Sequence, residues 1–126
     1  WLSQWENMLS LQKKHRGSIV YAANFSIGVN LFLKLAKTCA ILMEEFPEYM
    51  PSLEEIHHTQ KLDAPSGTAI ALAEKILPHT SFSKWQLLTE NNTLNSDALN
   101  INAYRQGDVK GTHTLLYKSI VVIFID

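Results

Sequence analysis

The sequence is poor in cysteine, has no excess of either charge and contains no long apolar run. Its single cysteine, Cys39, cannot form an internal disulfide, and its apolar helical surroundings favour a small buried side chain over a reactive thiol. The net charge of −1 argues against a broad nucleic-acid surface. No apolar run reaches the roughly 18 residues that a membrane helix needs.

A secretory signal is also missing, and residue 1 is a tryptophan rather than a methionine. We therefore expect a cytoplasmic protein seen as a fragment, with neither a nucleic-acid nor a membrane partner. The 126 residues, 46% of them apolar, suffice for one globular domain with a modest core.

Helical patterns dominate the first third of the chain. Apolar residues at helical spacing predict an amphipathic helix over residues 3–14, with Gly17 as its C-cap. Residues 18–22 are β-prone, which favours a short buried strand. A second helix is predicted over about residues 26–45. Because its polar side chains form only a narrow stripe, we expect most of this helix to be buried.

The remaining residues combine strands with one more helix. The sequence predicts an extended segment at 52–58, a loop at 59–65, a helix at 66–77 and a long polar loop at 79–98. Two β-prone runs at 100–105 and 112–118 flank a glycine-containing turn and predict a hairpin, and an apolar run follows at 120–125. This mixture predicts an α+β fold with an open mixed β-sheet covered by helices.

The start of the helix at residue 66 has the composition of an anion-binding site. Ser66 is a favourable N-cap, Gly67 permits close approach of a ligand to the backbone, and Thr68 adds a hydroxyl. The unpaired N–H groups and positive dipole of such a helix start suit a carboxylate or phosphate. The same residues, with Asp63 as a turn or capping residue, also fit an ordinary capped helix that binds nothing.

Two histidines and a lysine precede this helix start. His57 and His58 end the predicted extended segment, so their side chains are expected on opposite faces, and Lys61 follows in the loop. Reduction of an anionic conjugated substrate needs cations for the carboxylates and a proton donor that titrates near neutrality. These three residues could supply both, or they could be a structural histidine pair and a solvated lysine.

Zinc binding is another use for the paired histidines, with His79 or His113 as a further ligand. Adjacent residues of a strand diverge, however, and the sequence has neither a cysteine pair nor the histidine spacing of zinc proteases. We therefore predict no metal.

Three segments resemble the dihydrodipicolinate reductase family. Residues 57–69, HHTQKLDAPSGTA, match its signature of a histidine pair, two variable residues, a lysine and an aliphatic residue before DAPSGTA. Residues 22–30, AANFSIGVN, resemble its domain junction, and residues 107–114, GDVKGTHT, resemble its glycine-bounded turn. The resemblance implies reduction of 4-hydroxy-tetrahydrodipicolinate (dihydrodipicolinate) to tetrahydrodipicolinate, with NADPH or NADH, in lysine and diaminopimelate synthesis.

The resemblance also implies a role for each matching residue. His57 corresponds to the catalytic acid, and Lys61 to the lysine that binds or protonates the dicarboxylate substrate. The implied substrate-binding residues are His58, Ser66, Gly67 and Thr68. The implied cofactor-lining residues are Ala22, Ala23, Asn24 and Phe25. Hydride transfer to an unsaturated six-membered ring would be followed by protonation of the electron-rich carbon.

The sequence departs from the family in its cofactor domain. Enzymes of the family begin with a Rossmann-type domain, whose glycine-rich phosphate fingerprint does not occur here. We therefore expect residues 1–22 to be a remnant of that domain. Residues 23–126 would form a substrate-binding and oligomerisation domain, truncated at its C-terminal end and inactive alone. The resemblance implies a homotetramer, and the alternative function is a non-catalytic module that oligomerises through its sheet.

Overall fold

The computed structural model describes residues 2–22, 24–89 and 95–119. Its elements in chain order are α1 (Trp5–His15), α2 (Ile27–Met43), β1 (Tyr49–His57), α3 (Gly67–Ile76), β2 (Lys84–Leu88), β3 (Ala98–Arg105) and β4 (Thr112–Ser119). Short 3-10 turns precede α1 and follow α3. The predicted α+β class is confirmed. None of the described helices is both long and apolar enough to cross a membrane.

The four strands form one mixed sheet in the order β2-β3-β1-β4. Strand β1 pairs in parallel with β3 and antiparallel with β4, while β2 pairs in parallel with β3. The predicted hairpin is wrong, because β1 lies between β3 and β4. The connection between these two strands passes the end of β1, where the backbone of Gln106 donates to His57 and that of Thr59 donates to Gly107.

The core lies between α2, α3 and one face of the sheet. Alternate residues of β1 are buried, and Leu53 belongs there to the same hydrophobic cluster as Leu72 and Ile76 of α3. Full burial of each such side chain stabilises the fold by about 1.5–3 kcal/mol. The buried hydrophobic cluster consists of Ala36, Ala40, Leu53, Ala69, Leu72, Ala73, Ile76, Phe82, Leu99 and Ile101. The alanines have the smallest side chains that can face a core, so α2 and α3 approach each other closely.

Local serine and proline residues set the bounds of the two core helices. The hydroxyl of Ser26 accepts from the backbone of Val29, and the hydroxyl of Ser66 accepts from that of Ala69, so each serine caps a helix. Pro78 follows α3, where the chain continues as a 3-10 turn. Residues 58–66 form the loop that joins the end of β1 to the helix that begins at Gly67.

Several predictions for the first half of the chain are wrong. Residues 18–22 are not a strand, since a strand needs a paired neighbour and none of the described strands pairs with them. Arg16, not Gly17, is the left-handed residue that ends α1. Helix α2 buries only Ala36 and Ala40, because one stripe packs on α3 and the described residues leave its other side uncovered. Cys39 is accordingly half-buried rather than buried.

In the second half, one strand was missed. Strand β2 falls inside the predicted loop at 79–98, because Lys84–Leu88 is a run of only five residues, alternating over the first four, within a polar and turn-rich segment. The apolar run at 120–125 lies outside the described residues.

Candidate functional site

Four side chains from three strands converge at the carboxyl end of β1. His57 is the last residue of β1 and is 7% exposed, and Glu55, two residues earlier, lies on the same buried face with no exposed surface. In the sheet register, His113 of β4 lies opposite Glu55, and Arg105 of β3 lies opposite His57. We call Glu55, His57, Arg105 and His113 the Glu55 cluster.

The Glu55 carboxylate is the centre of this cluster. Its two oxygens lie 3.2 and 3.0 Å from the backbone nitrogen of Ser66, which donates to them. Arg105 Nη1 lies 3.6 Å from Oε1, and His113 Nε2 and His57 Nδ1 lie 3.6 and 3.8 Å from Oε2. A buried carboxylate is costly unless it is hydrogen-bonded and faces positive charge, and this one has both.

The start of α3 is anchored to the cluster through Ser66. Its N–H group is bound by Glu55, its hydroxyl caps the helix, and the same hydroxyl lies 3.0 Å from His113 Nε2. Gly67 is exposed with open space around its Cα, and Thr68 is 8% exposed. The N–H groups of Gly67 and Thr68 are among those that a helix leaves unpaired, so the positive end of α3 faces outward at Gly67.

The loop between β1 and α3 is held by Arg105. Its guanidinium donates to the backbone oxygens of Lys61, at 3.1 Å from Nε, and of Asp63, at 2.7 Å from Nη2. Lys61 Nζ lies 2.6 Å from the Asp63 carboxylate, which is largely exposed. The bond from Lys61 holds the pKa of Asp63 below its usual value. An ammonium paired with an exposed carboxylate can exchange that partner for another anion.

Both cluster histidines have a pKa below the ordinary histidine value, mainly because they are buried. Burial is the largest cause that lowers the pKa of His57, and the charges of Lys61 and Arg105 lower it further, while Glu55 raises it. Burial also lowers the pKa of His113, followed by the charge of His57. The two imidazole rings meet edge to face with centroids 5.1 Å apart. His58 follows directly after β1 and is half-buried.

The arrangement also contains three atoms of the kinds that ligate metals. One ligand atom each from Glu55, His57 and His113 lie within 4.8 Å of one another. Both Glu55 oxygens accept from Ser66, however, and the Arg105 cation lies beside them. The bonds and charge already present favour a hydrogen-bonded cluster over a metal centre, and the absence of a metal stays a prediction.

A family comparison matches most of this chain. Residues 28–123 match the family model described as "Dihydrodipicolinate reductase, C-terminus". The chain belongs to this family.

Two similar proteins show how much of a dihydrodipicolinate reductase this chain matches. The chain is 43% identical over 122 residues to the 4-hydroxy-tetrahydrodipicolinate reductase of Christiangramia forsetii, a match that covers 96% of this chain and 49% of the relative. A solved structure, the dipicolinate-bound dihydrodipicolinate reductase from Paenisporosarcina sp. TG-14, is 28% identical with a TM-score of 0.53. That match covers 79% of this chain and 42% of the neighbour. The chain thus spans about half the length of the relatives it matches.

The residues that the reductase resemblance assigns to the cofactor lie apart from the cluster in the chain, just before α2. Asn24 makes local bonds within the described part of the chain: its Oδ1 accepts from the Ser26 backbone at 2.8 Å and its carbonyl accepts from Asn30 at 3.1 Å. Ala22 is half-buried, Phe25 is 67% exposed, and Ala23 lies outside the described residues. The role of these residues in cofactor binding stays a prediction.

Sequence reasoning missed Glu55 and Arg105, it considered His113 only as a possible zinc ligand, and it gave Gly111 no site role. A signal for Glu55 was present, because a carboxylate two residues before His57 in a strand must share its face. Buried carboxylates are rare unless paired, so that position already called for cationic neighbours. No local pattern pointed to Arg105, which reaches the site only through the pairing of β3 with β1.

Proposed function

We propose that this chain carries the substrate site of a 4-hydroxy-tetrahydrodipicolinate reductase, a cytoplasmic enzyme of lysine and diaminopimelate synthesis. The observation that carries the proposal is the buried imidazole of His57 at the end of β1. Lys61 of the following loop and Arg105 of β3 lie at the same end of the sheet, near the exposed start of α3. Family membership supports the reaction class. The substrate would be an unsaturated six-membered ring with two carboxylates.

Two anion sites suit the two carboxylates of such a ring. The unpaired N–H groups of Gly67 and Thr68, with the Thr68 hydroxyl, would bind one carboxylate at the helix start. The Lys61 ammonium would exchange Asp63 for the other, and His58 would contribute a further contact. Arg105 would hold the loop rather than the substrate, because its guanidinium already donates to two loop carbonyls.

His57 would act as the acid that completes the reduction. A nicotinamide cofactor, NADPH or NADH, would supply a hydride when bound, with Ala22, Ala23, Asn24 and Phe25 lining its ring. The ring carbon that becomes electron-rich then needs a proton, and an imidazole can deliver one near neutral pH. Lys61 and the helix start would fix the ring within reach of that imidazole.

The experiment that tests this proposal is calorimetric titration of the chain with pyridine-2,6-dicarboxylate. We expect the chain to bind it and to bind pyridine-2-carboxylate more weakly, since one anion site would then stay empty. Lys61→Ala removes a charge-assisted contact worth roughly 1.5–3 kcal/mol, which corresponds to about a ten- to hundredfold loss of affinity.

Lys75→Ala is the matched control, because Lys75 is an exposed lysine in the last turn of α3, away from its start. It should leave the affinity unchanged. Equal losses in the two variants, or equal affinity for the mono- and dicarboxylate, would contradict the proposed substrate site.

The proposal also covers the domain division and the activity of the chain alone. Residues 1–22 would belong to a cofactor domain and residues 23–126 to the substrate domain. Without the glycine fingerprint the chain alone should not oxidise NADPH or NADH in the presence of substrate, which an absorbance assay checks.

Assembly as a homotetramer is supported by the sheet, whose second face includes the half-buried Ser52, Glu54 and Ile56 of β1. This observation also favours the second candidate function, a non-catalytic module that oligomerises through its sheet. Sedimentation of the chain at micromolar concentration should show an oligomer. A monomer would contradict both the homotetramer and the oligomerisation module.

A further inference from the structure

Glu55 faces the imidazole that the proposed function uses. Its Oε2 lies 3.8 Å from His57 Nδ1, and this nitrogen is buried without a hydrogen-bond partner among the described residues. Oxygen and nitrogen are slightly too far apart for a hydrogen bond, but they are close enough for a strong electrostatic interaction. Neither Glu55 nor this orientation of His57 was part of the sequence motif.

The chemical nature of Glu55, the group beside Nδ1, decides which nitrogen of the His57 imidazole carries the proton. An ionised carboxylate only accepts hydrogen bonds, whereas a neutral imidazole has one N–H group and one lone pair. A lone pair on Nδ1 would point towards the negative Oε2, and an N–H group there would be attracted to it. The Glu55 charge therefore favours the form of His57 with its proton on Nδ1.

Other charges around His57 do not reproduce this effect. Lys61 of the loop, Arg105 of β3, His58 and His113 of β4 also surround the imidazole. The first three lower the pKa of His57, as does burial, while the Glu55 charge raises it. Within the described ranges, Glu55 is thus the group that stabilises the imidazolium which an acid must form.

We infer that Glu55 is a positioning residue for His57. Its buried carboxylate holds one proton of the imidazole on Nδ1 and leaves Nε2 as the atom that exchanges a proton with substrate. This role rests on the proposed function of His57 as an acid, although the position of the proton can be measured without substrate. Ser66 fixes the carboxylate in turn, through its N–H group and the start of α3.

Nitrogen-15 NMR of the histidine side chains in the unliganded chain tests the inference. The shifts of Nδ1 and Nε2 report which nitrogen is protonated, and His57→Gln assigns the His57 signals by their loss. In the unaltered chain we expect neutral His57 to carry its proton on Nδ1. Glu55→Gln keeps an oxygen that can accept from Ser66 but removes the charge, so the His57 titration midpoint should move to lower pH and the preference for Nδ1 should weaken.

Glu54→Gln is the matched control, since Glu54 is the adjacent carboxylate on the opposite face of β1. It should change neither the midpoint nor the protonated nitrogen. A proton on Nε2 in the unaltered chain would overturn the inference even if Glu55→Gln did not fold. Equal titrations of the unaltered chain and folded Glu55→Gln would overturn it as well.

The test is separable from the proposed function. Failure to bind pyridine-2,6-dicarboxylate, with the proton still on Nδ1 and sensitive to Glu55, would count against the substrate assignment and support the role of Glu55 in placing the proton.

Discussion

Gly111 lies directly against the imidazole of His57. A Cβ built on Gly111 would come within 3.1 Å of Nε2 and 3.3 Å of Cδ2 of that ring, and the backbone of Gly111 has a φ of +152°. The glycine therefore keeps free the side of His57 that we assign to proton exchange. It stands in the turn that leads into β4, two residues before His113.

Gly111→Ala should displace His57 and weaken the site. The added methyl group meets the ring, and the positive φ adds backbone strain of about 1–3 kcal/mol to the cost of folding. The matched control is Gly107→Ala, which has a φ of +45° but open space around its Cβ. Both variants should lower the urea midpoint, but only Gly111→Ala should shift the His57 NMR signals. Identical His57 signals in the two variants would contradict this contact.

The division of labour between His57, Lys61 and Thr68 can be measured in a reductase that carries this segment together with a cofactor domain. If His57 is the acid, it would act only after hydride transfer, so His57→Ala should lower kcat more than it raises KM. Lys61→Ala should impair both parameters, because in the proposed function its ammonium would hold a carboxylate before and during the reaction. Thr68→Val keeps the backbone N–H groups and should cost least. If Thr68→Val were the most damaging of the three while folding was intact, the helix start alone would account for recognition.

Two serine caps should differ in their contribution to stability. Ser66→Ala removes the cap of α3 and the contact with His113, in a position that is 4% exposed, and should cost about 0.5–2 kcal/mol of unfolding free energy. Ser26→Ala removes an exposed cap whose bond to Val29 is 3.5 Å long, and should cost less. Urea unfolding followed by circular dichroism measures both values. A larger loss for Ser26→Ala would be inconsistent with the anchoring role of Ser66.

The unfolding free energy should fall as the pH drops below 6.5. Burial lowers the pKa values of His57 and His113 in the folded chain, whereas the unfolded histidines titrate near their ordinary value of 6.5. Below 6.5 the unfolded chain therefore binds more protons than the folded one, so stability is complete above 6.5 and is lost as the pH falls towards the lowered folded values.

Urea midpoints at about pH 7.5 and about pH 5.5 test this dependence, with both values chosen to bracket the ordinary histidine pKa. His113→Gln should reduce the difference between them. His15→Gln, at the exposed end of α1, is the surface control. A difference that is unchanged in His113→Gln would assign the pH dependence to other groups.

The sequence alone determined the local part of the site. The run from His57 to Ala69 predicted the end of β1, the capped start of α3 and the family, because these features depend on neighbouring residues and on short-range capping and alternation. The predictions for 18–22 and 79–98 failed for a related reason. A segment forms a β-strand only when it pairs with a neighbouring strand, and local sequence patterns do not show which segments pair.

Tertiary structure decided what surrounds His57. Glu55 lies opposite His113, and His57 lies opposite Arg105, across two different pairings of β1. The sequence favoured a hairpin between β3 and β4, which would have kept Arg105 and His113 on adjoining strands. Insertion of β1 between those strands instead places its buried carboxylate between Arg105 and His113. Sheet register is set by burial of a whole face and not by local propensity, so residues about 50 positions apart meet only once the sheet has formed.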